Sequence, residues 1–168
     1  ACNMPDWTKP MEQSYEYYTV EPRSLANLKK LDLIKSASFT RDGDSETLGY
    51  ASFDTSDLLG ECYIRGYMKT TQNGVTEKFP LGTYLVQTPS SSFNGTVRTV
   101  TMDAYSPLIE LKENRPPLGY TIPKNERIMD AAYRIIRENC RVPVSKVEPL
   151  EEINDDGEIV RRSYLIIL

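Results

Sequence analysis

The chain has 168 residues, 39% of them hydrophobic, and a net charge of −4, enough to bury a core without disulfides or metals. No apolar run approaches the roughly 20 residues of a membrane-spanning helix, and Lys and Arg are scattered instead of forming the positive field that tracks phosphates. Membrane and sequence-specific nucleic acid are therefore not expected partners.

Residues 1–30 read as an irregular N-terminal arm. Ala1-Cys2-Asn3-Met4-Pro5 has no basic or apolar leader character, so no secretory signal is expected. Tyr15, Tyr17 and Tyr18 stand among Glu12 and Glu16. Ser14 to Val20 alternates weakly, which fits an edge strand and equally an arm clasping a neighbour, since tyrosine gives large amphipathic contact at low entropic cost.

A β-rich region is expected over 31–145. Ile34 to Thr40 predicts a strand, Arg41-Asp42-Gly43-Asp44-Ser45 a turn, and Leu48 to Asp54 the partner strand. Asp42, Asp44 and Glu46 alternate like the start of a calcium loop, but the glycine and closing glutamate of such a loop are missing, so a solvated turn is expected. From Cys62 to Lys69 the odd positions carry Tyr, Arg, Tyr and Lys, and the even ones Cys, Ile, Gly and Met. That period of two puts a small apolar face against a polar-aromatic one.

Asn73-Gly74 supplies the two positive φ angles of a type I′ hairpin turn. Val75 to Thr88 is the return strand, with a bulge or break at Phe79-Pro80-Leu81-Gly82. Asn94-Gly95 reverses the chain again, toward Thr96 to Met102. The result is a three-stranded meander. Pro107 to Lys112 predicts a short helix behind Ser106. Glu126 to Glu138 predicts a longer one, capped by Asn125, with Ile128, Ala132, Ile135 and Ile136 on one face. Residues 146–168 read as a C-terminal strand extension: Val142 to Val147 and Glu158 to Leu168 predict strands, and Asn154-Asp155-Asp156-Gly157 a turn. The fold class expected is mainly β (α+β), an antiparallel β-barrel or sandwich meander with one packed helix at about 126–138.

The chemistry points away from catalysis. Histidine is absent, which removes Ser-His, Cys-His and His-metal arrangements. Cys2, Cys62 and Cys140 are far apart with no CxxC spacing. Cys62 lies on the small apolar strand face, where a buried thiol is the expected role. Neither a Walker A loop nor GxGxxG occurs. No catalytic residue, cofactor site or metal site is expected. Eleven tyrosines against one Trp and four Phe suit either protein interfaces or sugar stacking, the latter through Tyr63, Tyr67 and Tyr84 if these face outward.

Several runs carry a resemblance: Tyr15-Glu16-Tyr17-Tyr18, Ile34-Lys35-Ser36-Ala37-Ser38-Phe39-Thr40-Arg41-Asp42, Glu46-Thr47-Leu48-Gly49 and Gly60-Glu61-Cys62-Tyr63-Ile64-Arg65. They continue with Pro80-Leu81-Gly82-Thr83-Tyr84-Leu85-Val86-Gln87-Thr88-Pro89, Met102-Asp103-Ala104-Tyr105-Ser106-Pro107-Leu108 and Ile128-Met129-Asp130-Ala131-Ala132-Tyr133. In this order the chain resembles, over about residues 12–145, the N-terminal region of tail-tip hub proteins from long-tailed bacteriophages and prophages of Gram-positive bacteria. These are similar to the baseplate hub subunit of contractile-tailed phages. Two departures stand: such chains usually continue into a second hub domain, and the stretch from Val147 leaves the pattern.

The resemblance implies a non-enzymatic structural subunit in a virion, made in the bacterial host cytoplasm. It would form a ring with copies of itself, typically trimeric, closing the distal tail tube and docking tape-measure, distal-tail and receptor-binding proteins. The expected subunit contacts are Tyr15, Tyr17, Tyr18, Asn73 and Gly74. Two alternatives stay open: a glycan- or host-surface-binding β module, and a carboxylate-based cell-wall hydrolase.

Overall fold

The computed structural model describes residues 5–93, 95–96, 98–114, 118–143, 151–153 and 159–161. The protein is mainly β and antiparallel. Nine strands occur in the described residues: β1 (Glu12–Val20), β2 (Asn27–Lys30), β3 (Ile34–Thr40), β4 (Tyr50–Thr55), β5 (Tyr63–Gln72), β6 (Val75–Phe93), β7 (Arg98–Tyr105), β8 (Glu151–Ile153) and β9 (Ile159–Arg161). Two helices, α1 (Ile109–Glu113) and α2 (Ile128–Asn139), lie between β7 and β8. Seven strands form one sheet in the order β2-β1-β5-β6-β7-β4-β3, and β8 pairs with β9 alone.

The 19-residue β6 organises the sheet. Residues 75–85 pair with β5, and residues 85–93 pair with β7, so Leu85 alone has partners on both sides, Tyr63 and Tyr105. Each half of β6 carries a bulge. The register slips opposite Gly66 and Tyr67, where Pro80 and Gly82 stand across from them, and again between Gln87 and Pro89. Bulges sharpen twist and bend a strand, and a proline is tolerated where β6 has a neighbour on one side only. The sheet therefore divides into a β2-β1-β5 half and a β7-β4-β3 half, hinged on β6.

The two halves face each other across the core. Tyr17 of β1 lies 6.5 Å from Phe39 of β3, ring centroid to centroid, although four strands separate them in the ladder. Phe53 meets both rings edge-on, at 6.1 and 5.7 Å. Ile64, Val86, Val100, Met102 and Ala104 complete a buried cluster, with Leu33, Leu59 and Cys62 packed against it. Gly66 is needed at this closure: a Cβ there would stand 2.6 Å from Cζ of Phe39. Between the sheet's two edges runs the short link 31–33. Leu31 N–H donates to Tyr17 O, and Ser56 N–H donates to Leu33 O. The expected barrel or sandwich is thus one bent sheet folded onto itself.

Most expected elements occur. The meander β5-β6-β7 is present, and Asn73 (φ 52°) and Gly74 (φ 77°) make its first turn. Of the bulge or break expected at Phe79–Gly82, the bulge occurs, inside a continuous strand. Residues 12–30 differ from a free arm. β1 pairs with β5 at nine positions and with β2 on its other side, which makes it an interior strand. Glu16 and Tyr17, adjacent in β1, point to opposite faces, the carboxylate outward and the ring into the core.

The chain divides into two compact units, Ala1–Ile109 and Glu110–Leu168. In the second unit, Glu110 of α1 is 4% exposed and accepts from Arg141 N–H (2.8 Å) and Nε (2.6 Å). Asn114 Nδ2 donates to Asn139 O at 2.7 Å. These bonds tie α1 to the end of α2. Asn125 does not cap α2: it adopts φ 67°, and Arg127 holds the N-cap position with no side-chain bond. Arg134 grips Glu126 with two bonds of 3.1 and 2.9 Å and also bonds Tyr120. Residues 142–143 are not strand. The remainder of the Val142–Val147 strand, the 154–157 turn, Cys2, and the end of the last strand lie outside the described residues.

Candidate functional site

The alternation read in β5 sends Ile64 and Gly66 inward, and Arg65, Tyr67 and Lys69 to the outer face. β1 contributes Glu16 and Tyr18 to the same outer face, and β6 contributes Lys78, which stands opposite Lys69. Two lysines directly opposite would repel. Glu16 resolves this: its carboxylate lies 2.9 Å from Lys78 Nζ, 3.3 Å from Lys69 Nζ and 3.7 Å from Lys30 Nζ. Tyr18 OH donates to it at 3.0 Å. The Glu16 side chain is only 16% exposed.

These bonds set the charges. The Lys78 ammonium, above all, holds the Glu16 carboxyl down at about 2, against the desolvation that would raise it. Lys78 is raised in return, chiefly through its bond to Glu16. Its Nζ also lies 4.2 Å from the Tyr67 ring centroid and 4.6 Å from that of Tyr18, within cation–π range. The two rings meet edge to face at 5.8 Å. Burial raises the Tyr67 phenol, but bonds from Asn27 and Arg65, with the charges of Arg65 and Lys78, outweigh it and leave the phenol below its ordinary value.

Arg65 extends the cationic area. Its guanidinium donates to Thr83 Oγ1 (2.8 Å), Leu25 O (2.9 Å) and Asn27 Oδ1 (3.3 Å), all uncharged acceptors. Three lysines (Lys30, Lys69, Lys78) thus meet one central carboxylate, with Arg65 on the same face and Asp32 3.9 Å from Lys30. The arrangement can hold anionic groups and stack flat ones. Its charged groups bind one another across a sheet face; they do not line a cleft around a reacting bond.

A second feature sits at the β5–β6 turn, where a cavity of about 300 Å³ is lined by Pro5, Asp6, Thr70, Gln72, Asn73, Val75 and Glu77. Gln72 ties down the preceding segment: Oε1 accepts from Asp6 N–H at 2.9 Å, and Nε2 donates to Asp6 O at 3.1 Å. Trp7 packs on Phe79 at 5.7 Å. Beneath them Thr70, 1% exposed, has an Oγ1 with no hydrogen-bond partner among the described residues.

The residues expected at subunit contacts do not form one patch. Tyr17 points into the core, where burial raises its phenol. Tyr18 lies on the outer face beside Glu16. Tyr15 is 53% exposed. Asn73 and Gly74 occupy the hairpin tip, eight and nine residues on from Arg65, the register partner of Tyr18, which puts Asn73 about 26 Å away at strand rise. The outward trio Tyr63, Tyr67 and Tyr84 is corrected. Tyr84 lies in the core and Tyr63 is 1% exposed, which leaves Tyr67 alone on the open face. Burial raises the Cys62 thiol, helped by the charge of Glu61, which opposes thiolate formation.

Sequence reading missed Glu16, Lys30, Lys69 and Lys78 as a group. They span more than 60 positions and converge only through sheet register. No group of metal-ligating side chains occurs among the described residues, and none of the described helices is long and apolar enough to cross a membrane. No protein-family model matches the chain, and no curated protein is significantly similar to it.

Proposed function

We propose that the protein is a structural subunit of a phage tail tip, a hub component that assembles with copies of itself and with other tail proteins. The carrying observation is the Glu16-centred face. Three lysines and Tyr18 are held by bonds to Glu16, and Arg65 by bonds to neighbouring polar groups, an organisation that serves recognition of a surface better than turnover of a substrate. The sequence runs resembling tail-tip hubs support the same assignment. The glycan-binding alternative loses two of its three stacking tyrosines to burial. The hydrolase alternative would need converging carboxylates, whereas Glu16 is neutralised by lysines.

Light scattering across a dilution series, followed by electron microscopy, tests the assignment. A closed ring of fixed stoichiometry is the expected result. Particles that remain single chains, or that grow as open filaments, would overturn it.

A further inference from the structure

Charge is unevenly divided over the first unit. Residues 42–61 contain Asp42, Asp44, Glu46, Asp54, Asp57 and Glu61, and neither lysine nor arginine. They form the turn before β4, β4 itself and the loop after it. Asp54 faces away from the core, since its strand neighbours Phe53 and Thr55 are fully buried, and its carboxylate accepts from Ser36 and Thr101 hydroxyls, both at 2.6 Å. Exposed apolar side chains are interspersed: Leu48 at 56%, Tyr50 at 46% and Leu58 at 52%.

The opposite half of the sheet is richer in cations. Lys30, Lys69 and Lys78 meet at Glu16 with Arg65 on the same face, and Leu28, next but one to Lys30 along β2, is 66% exposed. The two halves pack core to core through Tyr17, Phe39 and Phe53, so their outer faces point in opposite directions. The Glu16 face is thus cationic and aromatic, while the turn 42–49 and the outer side of β4, in the other half, are acidic and apolar.

Resting on the assembly reading above, we propose that these two surfaces are partners between copies: the β2-β1-β5-β6 face of one chain docks on residues 42–61 of the next. Such a contact is heterologous, using different surfaces on the two partners, and repeats head to tail until it closes into a ring. Complementary charge steers and orients the encounter, while Leu28, Tyr18 and Tyr67 meet Leu48, Tyr50 and Leu58 at its centre. A second copy fits this face better than a nucleic acid, because the matching acidic surface belongs to the chain itself.

Sedimentation equilibrium of the whole chain at ~0.05 M and ~0.5 M salt tests the contact. The wild type associates at low salt and weakens by about tenfold or more at high salt. Lys30→Gln with Lys69→Gln keeps the closest pair, Lys78–Glu16, and weakens low-salt association by about tenfold. Asp42→Asn with Asp44→Asn, in an exposed turn where fold is little at risk, does the same from the other side. Arg98→Gln, an exposed cation outside both surfaces, leaves association unchanged. Near-UV circular dichroism shows that each variant remains folded.

A wild type that stays monomeric at low salt, or association indifferent to both double variants, overturns the contact. The hub assignment fails separately: copies that associate through these faces yet never close a ring would sink that assignment alone. Rings that ignore both double variants would sink this interface alone.

Discussion

The two halves of the sheet share one core and one strand, β6, yet their outer faces are built on different rules. On the β2-β1-β5 side, long side chains reach across strands: Glu16 meets lysines from three other strands, and Arg65 reaches the β1–β2 loop. On the β3-β4-β7 side, the outward residues around Asp54 are short, with Ser36, Ser38, Ser52 and Thr101, while Tyr50 and Asp103 stand farther along the same face. The first face holds surplus charge in a self-bonded network and so keeps it fixed. The second holds Asp54 by two hydroxyls. The same inward alternation of aromatic and aliphatic residues supports both, so folding leaves the outer faces free to specialise.

Breaking what joins the halves has the largest effect. Tyr17→Ala removes the ring that bridges Phe39 and Phe53, and should cost ~2–4 kcal/mol in chemical denaturation, allowing for its partial exposure. Replacing Tyr15, Tyr17 and Tyr18 together would therefore unfold the chain before reporting on assembly. Tyr15→Ser with Tyr18→Phe tests surface roles without touching the core.

Glu16→Gln comes next, because it leaves Lys69 and Lys78 without their counter-charge and Lys30 with Asp32 alone. Above about pH 5 it should cost ~1–2 kcal/mol, discounted for solvent screening. The folded carboxyl at about 2 lies below its ordinary 4.5. Wild-type stability from this group is therefore complete above about pH 5 and is lost as pH falls toward 2. The variant should show a flatter stability profile over that window. Parallel profiles for the two proteins would break the account of the cationic face.

Asp54→Asn examines the other half. Bonds from Ser36 and Thr101 lower this carboxyl, but an amide oxygen can still accept one of them, so the loss should be ~0.5–1 kcal/mol in the same denaturation experiment. A cost equal to that of Glu16→Gln would erase the distinction between the faces. The smallest effect belongs to Thr70→Val. The buried hydroxyl has no partner among the described residues, so an apolar replacement of the same shape should be neutral or raise stability by up to ~1 kcal/mol.

Local sequence determined the fold class and many of its elements. Asn73-Gly74 dictated the hairpin turn because two adjacent positive φ angles leave little other choice. The alternation from Cys62 to Lys69 dictated which side of β5 faces the core, since successive side chains must point to opposite faces. Ile34 to Thr40 formed a strand over the expected residues. Tertiary structure decided the rest. Whether Glu12 to Val20 is a free arm or an interior strand depended on β5 pairing with it, a contact some fifty residues away. Whether Tyr84 faces in or out depended on the bulge at Pro80–Gly82, which shifts parity beyond it. The meeting of Glu16 with Lys30, Lys69 and Lys78 depended on the registers of three strand pairs together. Alternation along one strand is a local property of the backbone; which strands become neighbours, and in what register, is settled only when the whole sheet bends and closes on its core.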